Sequence, residues 1–333
     1  MAALLLASAA FVYTADPLQV FRRSSGAPNM YEAVEYQIPG IARHYPYDAV
    51  VTGTSTSNNF TAAELERTLG WHAVNFSVAG STIAEQHAVL QTALATGKAR
   101  HVLWGIDPFA FKRDAHENEF PFYLYAGSGW RRAKYLWNLD AIRHGLRTMT
   151  LPAGRRTSLD QWSANNVWDR QYTYGRDAVV RAWAHRDAFE SQELPPLPAA
   201  AGEVVDRFMR SLIVAYPETD FRIVMLPPTV LYQKMLLDER REEFDRGVAA
   251  GRAVVERTGL LPNVRLYDFR DDPAITHNLD LFKDLVHFSG RVSSAVVEAV
   301  AADVRRTGVE EFDRATGRVI AAAAAYPAPE PGR

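Results

Sequence analysis

Apolar residues along this chain fall into two patterns. Short unbroken runs that stop at Gly, Pro or a small polar residue read as parallel strands buried on both faces. They occupy 48–52, 101–106 and 221–226, with weaker runs at 73–78 and 264–269. Between them the apolar spacing changes to that of helices, over 83–94 and 203–216, where Val205, Phe208, Met209 and Leu212 would share one face. The last helix is expected to begin after Ser289 as N-cap and to carry Val292, Val296, Val300 and Val304 at a spacing of four. Strands alternating with helices predict an α/β fold with a doubly wound, mostly parallel sheet, flavodoxin-like in winding, whose ligands bind at the carboxyl ends of the strands.

Three stretches stand outside this rhythm. From about 112 to 198 the chain is rich in aromatics and charges and leaves through Pro195-Pro196-Leu197-Pro198, which predicts a mixed insertion within a domain spanning 21–320. From 321 to 333 alanines give way to a Pro-rich end, too poor in varied apolar residues to pack, and a frayed tail is expected. At the other end, Ala2 to Tyr13 is apolar almost throughout and is followed by Thr14-Ala15-Asp16-Pro17. It is short for a bilayer and has no basic residue before it, so residues 1–20 read as part of a membrane anchor or signal segment. A buried N-terminal helix is the competing reading.

Composition narrows the chemistry. A chain of 333 residues with 47% hydrophobic content can bury a full core. The net charge of -2 supplies no field to hold nucleic acid. With no cysteine, thiolate catalysis, zinc–thiolate sites and disulfides are all excluded.

Two motifs carry candidate chemistry. Val50-Val51-Thr52-Gly53-Thr54-Ser55 is a strand running into a Gly-containing turn, which sets a serine hydroxyl at a strand end with its amide near a helix start. Alone, such a turn also describes an ordinary strand–helix connection. Far downstream, Asp284-Leu285-Val286-His287 places a carboxylate where it can hold one imidazole nitrogen, leaving the other to accept a serine proton.

Taken together, the early Gly-x-Ser, Gly80 in Phe76-Ser77-Val78-Ala79-Gly80-Ser81, the Trp104-Gly105-Ile106-Asp107-Pro108 block and the late Asp-x-x-His resemble the SGNH/GDSL hydrolase superfamily. The resemblance implies Ser55 as nucleophile, His287 as base, Asp284 as its orienter, and Gly80 in the oxyanion hole. Asp107 stands where that family has an oxyanion-hole Asn, and an ionised carboxylate there repels an oxyanion. With Thr54 in place of the usual Asp, this departure resembles the branch that modifies cell-surface polymers, including the alginate O-acetylation and teichoic-acid D-alanylation proteins.

That branch implies an inner-membrane-anchored, periplasmic or extracytoplasmic O-acetyltransferase. Its partners are an acyl donor, a polysaccharide acceptor and a membrane-bound O-acyltransferase, and it needs no cofactor or metal. A carbohydrate O-acetyl esterase and an inactive scaffold of an envelope assembly are the alternatives. A metal-dependent hydrolase using His277, Asp280, Asp284 and His287 is a third. Within the insertion, Trp162, Trp168 and Tyr174 are candidate sugar-binding residues, with Trp130, Trp137, Tyr172 and Trp183 as further aromatic faces and Asn165 and Asn166 as hydrogen-bonding groups. Aromatics of this size also serve as ordinary packing residues.

Overall fold

Parallel strands accept apolar side chains on both faces, and the chain uses this to build one sheet. The computed structural model describes residues 2–23, 33–111, 120–127, 133–150, 163, 172–188 and 197–329. Its strands are β1 (Ala49–Thr52), β2 (Ala73–Asn75), β3 (His101–Ile106), β4 (Asp220–Met225) and β5 (Val264–Asp268). They lie in the order β2-β1-β3-β4-β5, all parallel. This is the doubly wound order whose switch point falls between β1 and β3.

Alternate strand residues face opposite ways, which divides the core into two layers. Val50, Val102, Trp104, Phe221 and Ile223 lie on one side with α2 (Val34–His44) and α4 (Ile83–Leu94). Ala49, Val51, Leu103 and Val224 lie on the other, against α3 (Ala62–Leu69). Register puts Val50 beside both Val74 and Val102, so the apolar rows run across the sheet.

The described residues of the insertion form helices and irregular segments, with no strand among them. They include α5 (Leu139–Thr150) and α6 (Arg176–Ala184). The helix expected over 203–216 begins earlier and is irregular: Pro198–Val204 leads into a π-helical stretch, Val205–Arg210, and then Ser211–Ala215. Val205, Met209 and Leu212 are buried as the spacing predicts, while Phe208 sits half-buried against His87.

The C-terminal half adds α7 (Val230–Glu239), α8 (Arg241–Thr258), α9 (Gly290–Ala301) and α10 (Val309–Ala325). Two sequence expectations change here. Ser289 precedes α9 in extended conformation, but its side chain makes no capping bond, and Val304 lies past the helix end, half exposed. The tail expected to fray from 321 is helical as far as Ala325, because Ala315, Val319 and Ala323 recur every fourth residue and are buried. Small residues at that spacing let α10 approach α7 and α8 closely.

The apolar start forms α1 (Ala2–Ala15), with Val12 buried and Leu4, Leu5 and Leu6 exposed. It packs on Ala133–Trp137 and α5, and the Trp137 indole N–H donates to the Leu5 carbonyl at 3.0 Å. Among the described residues no helix is long and apolar enough to cross a membrane.

Candidate active site

The turn after β1 is shaped by what surrounds it. Gly53 adopts φ +153°, in the range that favours glycine, and Thr54 caps a single 3-10 turn, Ser55–Ser57. Ser57 folds back over the sheet end: a Cβ on Gly53 would fall 2.2 Å from its Oγ, and one on Gly105 would fall 2.1 Å from it. Both positions therefore require glycine. Asn75, at the end of β2, donates from Nδ2 to the carbonyls of Ser57 (2.8 Å) and Phe60 (2.9 Å) and accepts from the Ser77 amide at 2.9 Å. A helix follows with Thr61 as its N-cap, but it is this short turn that carries Ser55.

Asp284 and His287 sit at the tip of a narrow loop closed by an antiparallel bridge between Phe282 and Phe288. Lys283 N–H donates to the His287 carbonyl at 3.0 Å, and Ser289 N–H to that of Leu281 at 2.7 Å. Leu285, Val286 and Phe288 anchor the loop by burial, and the Thr229 hydroxyl donates to the Leu285 carbonyl at 2.7 Å. Asn59 joins the two halves of the site, its Nδ2 donating to the Phe288 carbonyl at 2.6 Å and to the Tyr174 hydroxyl at 3.2 Å.

These supports bring Ser55, His287 and Asp284 into one hydrogen-bonded chain. Ser55 Oγ lies 2.9 Å from His287 Nε2, and His287 Nδ1 lies 2.7 Å from Asp284 Oδ2. Asp284 Oδ1 accepts the amides of Val286 (2.9 Å) and His287 (2.8 Å). Burial works to raise the Asp284 pKa, but the His287 ring bond, its charge and the two amides outweigh it and hold the carboxyl at about 2. An ionised Asp284 keeps the proton on Nδ1, so Nε2 is the nitrogen that accepts the Ser55 hydroxyl proton. A serine held in this way can attack an acyl carbon as its proton passes to the ring.

Asp107 lies among the hydroxyls that flank Ser55. Its Oδ2 accepts the hydroxyls of Thr54 (2.5 Å) and Thr56 (3.0 Å), the residues on either side of Ser55. Burial raises its pKa, opposed by those two hydroxyl bonds. Gly80 has φ +69° in an exposed turn, and the neighbouring Ser81 hydroxyl donates to the Gly53 carbonyl at 3.2 Å, so this turn borders the one that carries Ser55.

Of the aromatic candidates, Tyr174 reaches the site through Asn59, whereas Trp162 and Trp168, with Trp130, Asn165 and Asn166, lie outside the described residues. Trp183 is a packing residue and Trp137 belongs to the α1 contact. The metal alternative finds no common centre. His277 Nδ1 meets Thr276 Oγ1 at 3.0 Å, and Asp280 Oδ1 accepts the Arg176 amide at 2.9 Å. Among the described residues, no three His, Asp or Glu side chains gather where they could hold a metal ion.

Sequence reading missed four residues. Asn59 and Asn75 carried a signal in being side-chain amides beside a strand end, where backbone groups lack partners. Thr229 and Lys283 carried none. Lys283 Nζ lies 3.4 Å from Asp284 Oδ2 and 4.0 Å from the Tyr172 ring centroid, and burial lowers its pKa against the pull of Asp284.

Comparison with known proteins adds little beyond this geometry. No known family profile matches the chain, and no curated protein matches it. Among solved structures, one from Streptococcus pneumonia, described as that of a platelet activating factor, is 11% identical. That match covers 82% of this chain and 90% of the other, with a TM-score of 0.40. An alpha/beta hydrolase enzyme from the metagenome of Lake Arreo, Spain, is 14% identical over 80% of this chain and 100% of its own, with a TM-score of 0.39.

Proposed function

We propose that the chain is a serine-dependent acyl-transfer enzyme. His287 takes the Ser55 proton, Ser55 attacks an acyl donor, and the amides of Ser55 and Gly80 stabilise the oxyanion. His287, held by Asp284, then delivers the proton to the leaving group and activates the acceptor. One observation carries this reading: the unbroken bond chain from Ser55 Oγ through His287 to Asp284, at 2.9 Å and 2.7 Å, beside the β1/β3 switch point.

The acceptor we propose is a polysaccharide hydroxyl outside the cytoplasm, reached from a membrane-associated position beside a membrane-bound O-acyltransferase. Water as acceptor makes the same site an esterase. The exposed Leu4, Leu5 and Leu6 of α1 support membrane association, since their side chains offer an apolar patch at the surface.

The test is hydrolysis of p-nitrophenyl esters, with a fluorophosphonate probe mapped to its residue. Ser55→Ala and His287→Ala should each lose at least about 10³-fold in kcat, and Ser55→Ala should lose all labelling. A folded wild-type protein that neither turns over ester nor labels at Ser55 would overturn the assignment.

A further inference from the structure

A cavity of about 90 Å³ lies beyond the carboxyl ends of β3 and β4, and it abuts the proposed catalytic residues. Its near wall holds Thr56, the residue after Ser55, together with Val286 and Phe288, which flank His287. Its far wall is built from α7 and α8, with Leu236, Phe244 and Val248 facing the space. At about 30 Å³ for each water-sized group, this volume takes roughly three of them. An acetyl group would leave most of it empty.

The lining decides what could fill it. Most of the wall is hydrocarbon, and of its polar groups Gln233 and Arg270 are already engaged within the protein. Gln233 Nε2 donates to the Arg270 carbonyl at 2.7 Å, and the Arg270 guanidinium grips Asp268 at 2.6 Å. Glu243 lies 3.9 Å from Arg240, and its pKa is raised by burial. Asp107 Oδ1 has no hydrogen-bond partner among the described residues, and burial favours its neutral form. A sugar in this space would leave its hydroxyls largely unpaired, whereas a hydrocarbon chain asks nothing of the wall.

We propose that this cavity seats the acyl chain during transfer, and that the preferred acyl group is a linear chain of roughly four to six carbons rather than acetyl. The proposal rests on Ser55 being the nucleophile. The ester carbonyl lies at Ser55, and the chain passes Thr56 and Phe288 toward Leu236. In the acyl-enzyme the bond formed joins Ser55 Oγ to the acyl carbon, and the bond broken releases the donor's alcohol or thiol with the proton carried by His287.

Two measurements on the full chain test it. The first compares kcat/KM for p-nitrophenyl acetate, butyrate, hexanoate and octanoate. Wild type should favour hexanoate over acetate by about tenfold or more, Leu236→Trp should lower that ratio at least tenfold, and Leu236→Ala should move the optimum toward octanoate. A wild type that prefers acetate, or a ratio unmoved by either substitution, overturns the proposal. The second measures calorimetric binding of hexanoate to Ser55→Ala, which needs no turnover. Binding abolished by adding Leu236→Trp supports the chain seat even if Ser55 proves unreactive. Absence of binding, or binding indifferent to that substitution, overturns the seat even if Ser55 is the nucleophile.

Discussion

Thr54 and Thr56 flank Ser55, and both give their hydroxyl protons to the same oxygen of Asp107. A buried carboxyl that grips the residues before and after Ser55 fixes where its hydroxyl points, which in the proposed reaction makes Asp107 a positioning residue. Asp107→Ala leaves two buried hydroxyls without their acceptor, and the expected effect is a loss of about 10- to 100-fold in kcat with little change in KM. Asp107→Asn keeps an oxygen for both threonines and should restore most of the activity. Steady-state kinetics of ester hydrolysis on the three proteins checks this; equal losses for Ala and Asn would point to the charge itself instead. The sequence showed that position 107 departs from the family pattern. It could not show that the partners are the two threonines beside Ser55, because that contact spans more than fifty residues and depends on β1 and β3 being neighbours.

At the scale of elements, the close approach of β1, β3 and the turn carrying Ser55 depends on one small side chain. Ser57 occupies the space over Gly53 and Gly105, and its hydroxyl has no hydrogen-bond partner among the described residues. In Gly105→Ala the new methyl would meet Ser57 Oγ at 2.1 Å and Leu226 Cδ1 at 2.8 Å, which forces the turn or the strand to shift. The expected cost is about 1–3 kcal/mol in stability, with part of it recovered when Ser57→Ala is added. Urea unfolding of the two single variants and the double variant measures the coupling; strictly additive effects would show that Ser57 is not the obstacle. Strand positions were legible because buried parallel strands are short apolar runs with clear ends. The extent of α10 was not, since a run of alanines carries no amphipathic signal until the neighbours that bury Ala315 and Ala323 are known.

Across the whole molecule, the order of the sheet gathers residues from distant parts of the chain. Ser55 follows β1, Asp107 follows β3, and Asp284 with His287 follows β5, so the site exists only when the chain is folded. The order of motifs was readable in the sequence; the residues that lock the loops together, such as Asn59 and Thr229, were not, because their partners are backbone carbonyls that any residue could supply. This dependence couples the site to global stability through Asp284. Its pKa stands at about 2 against a usual 3.8, and its side chain is 22% exposed. A depressed folded-state pKa means that the unfolded chain binds the proton more readily. The carboxylate therefore contributes stability above about pH 4, and this is lost as the pH falls toward 2. From the size of the shift the contribution is on the order of 2 kcal/mol. Asp284→Asn should then be less stable than wild type by about that amount at pH 6, and the gap should close by pH 2. Urea midpoints for both proteins across this range decide the matter. A gap that stays constant would mean that the hydrogen bonds to position 284, and not its charge, hold the loop in place.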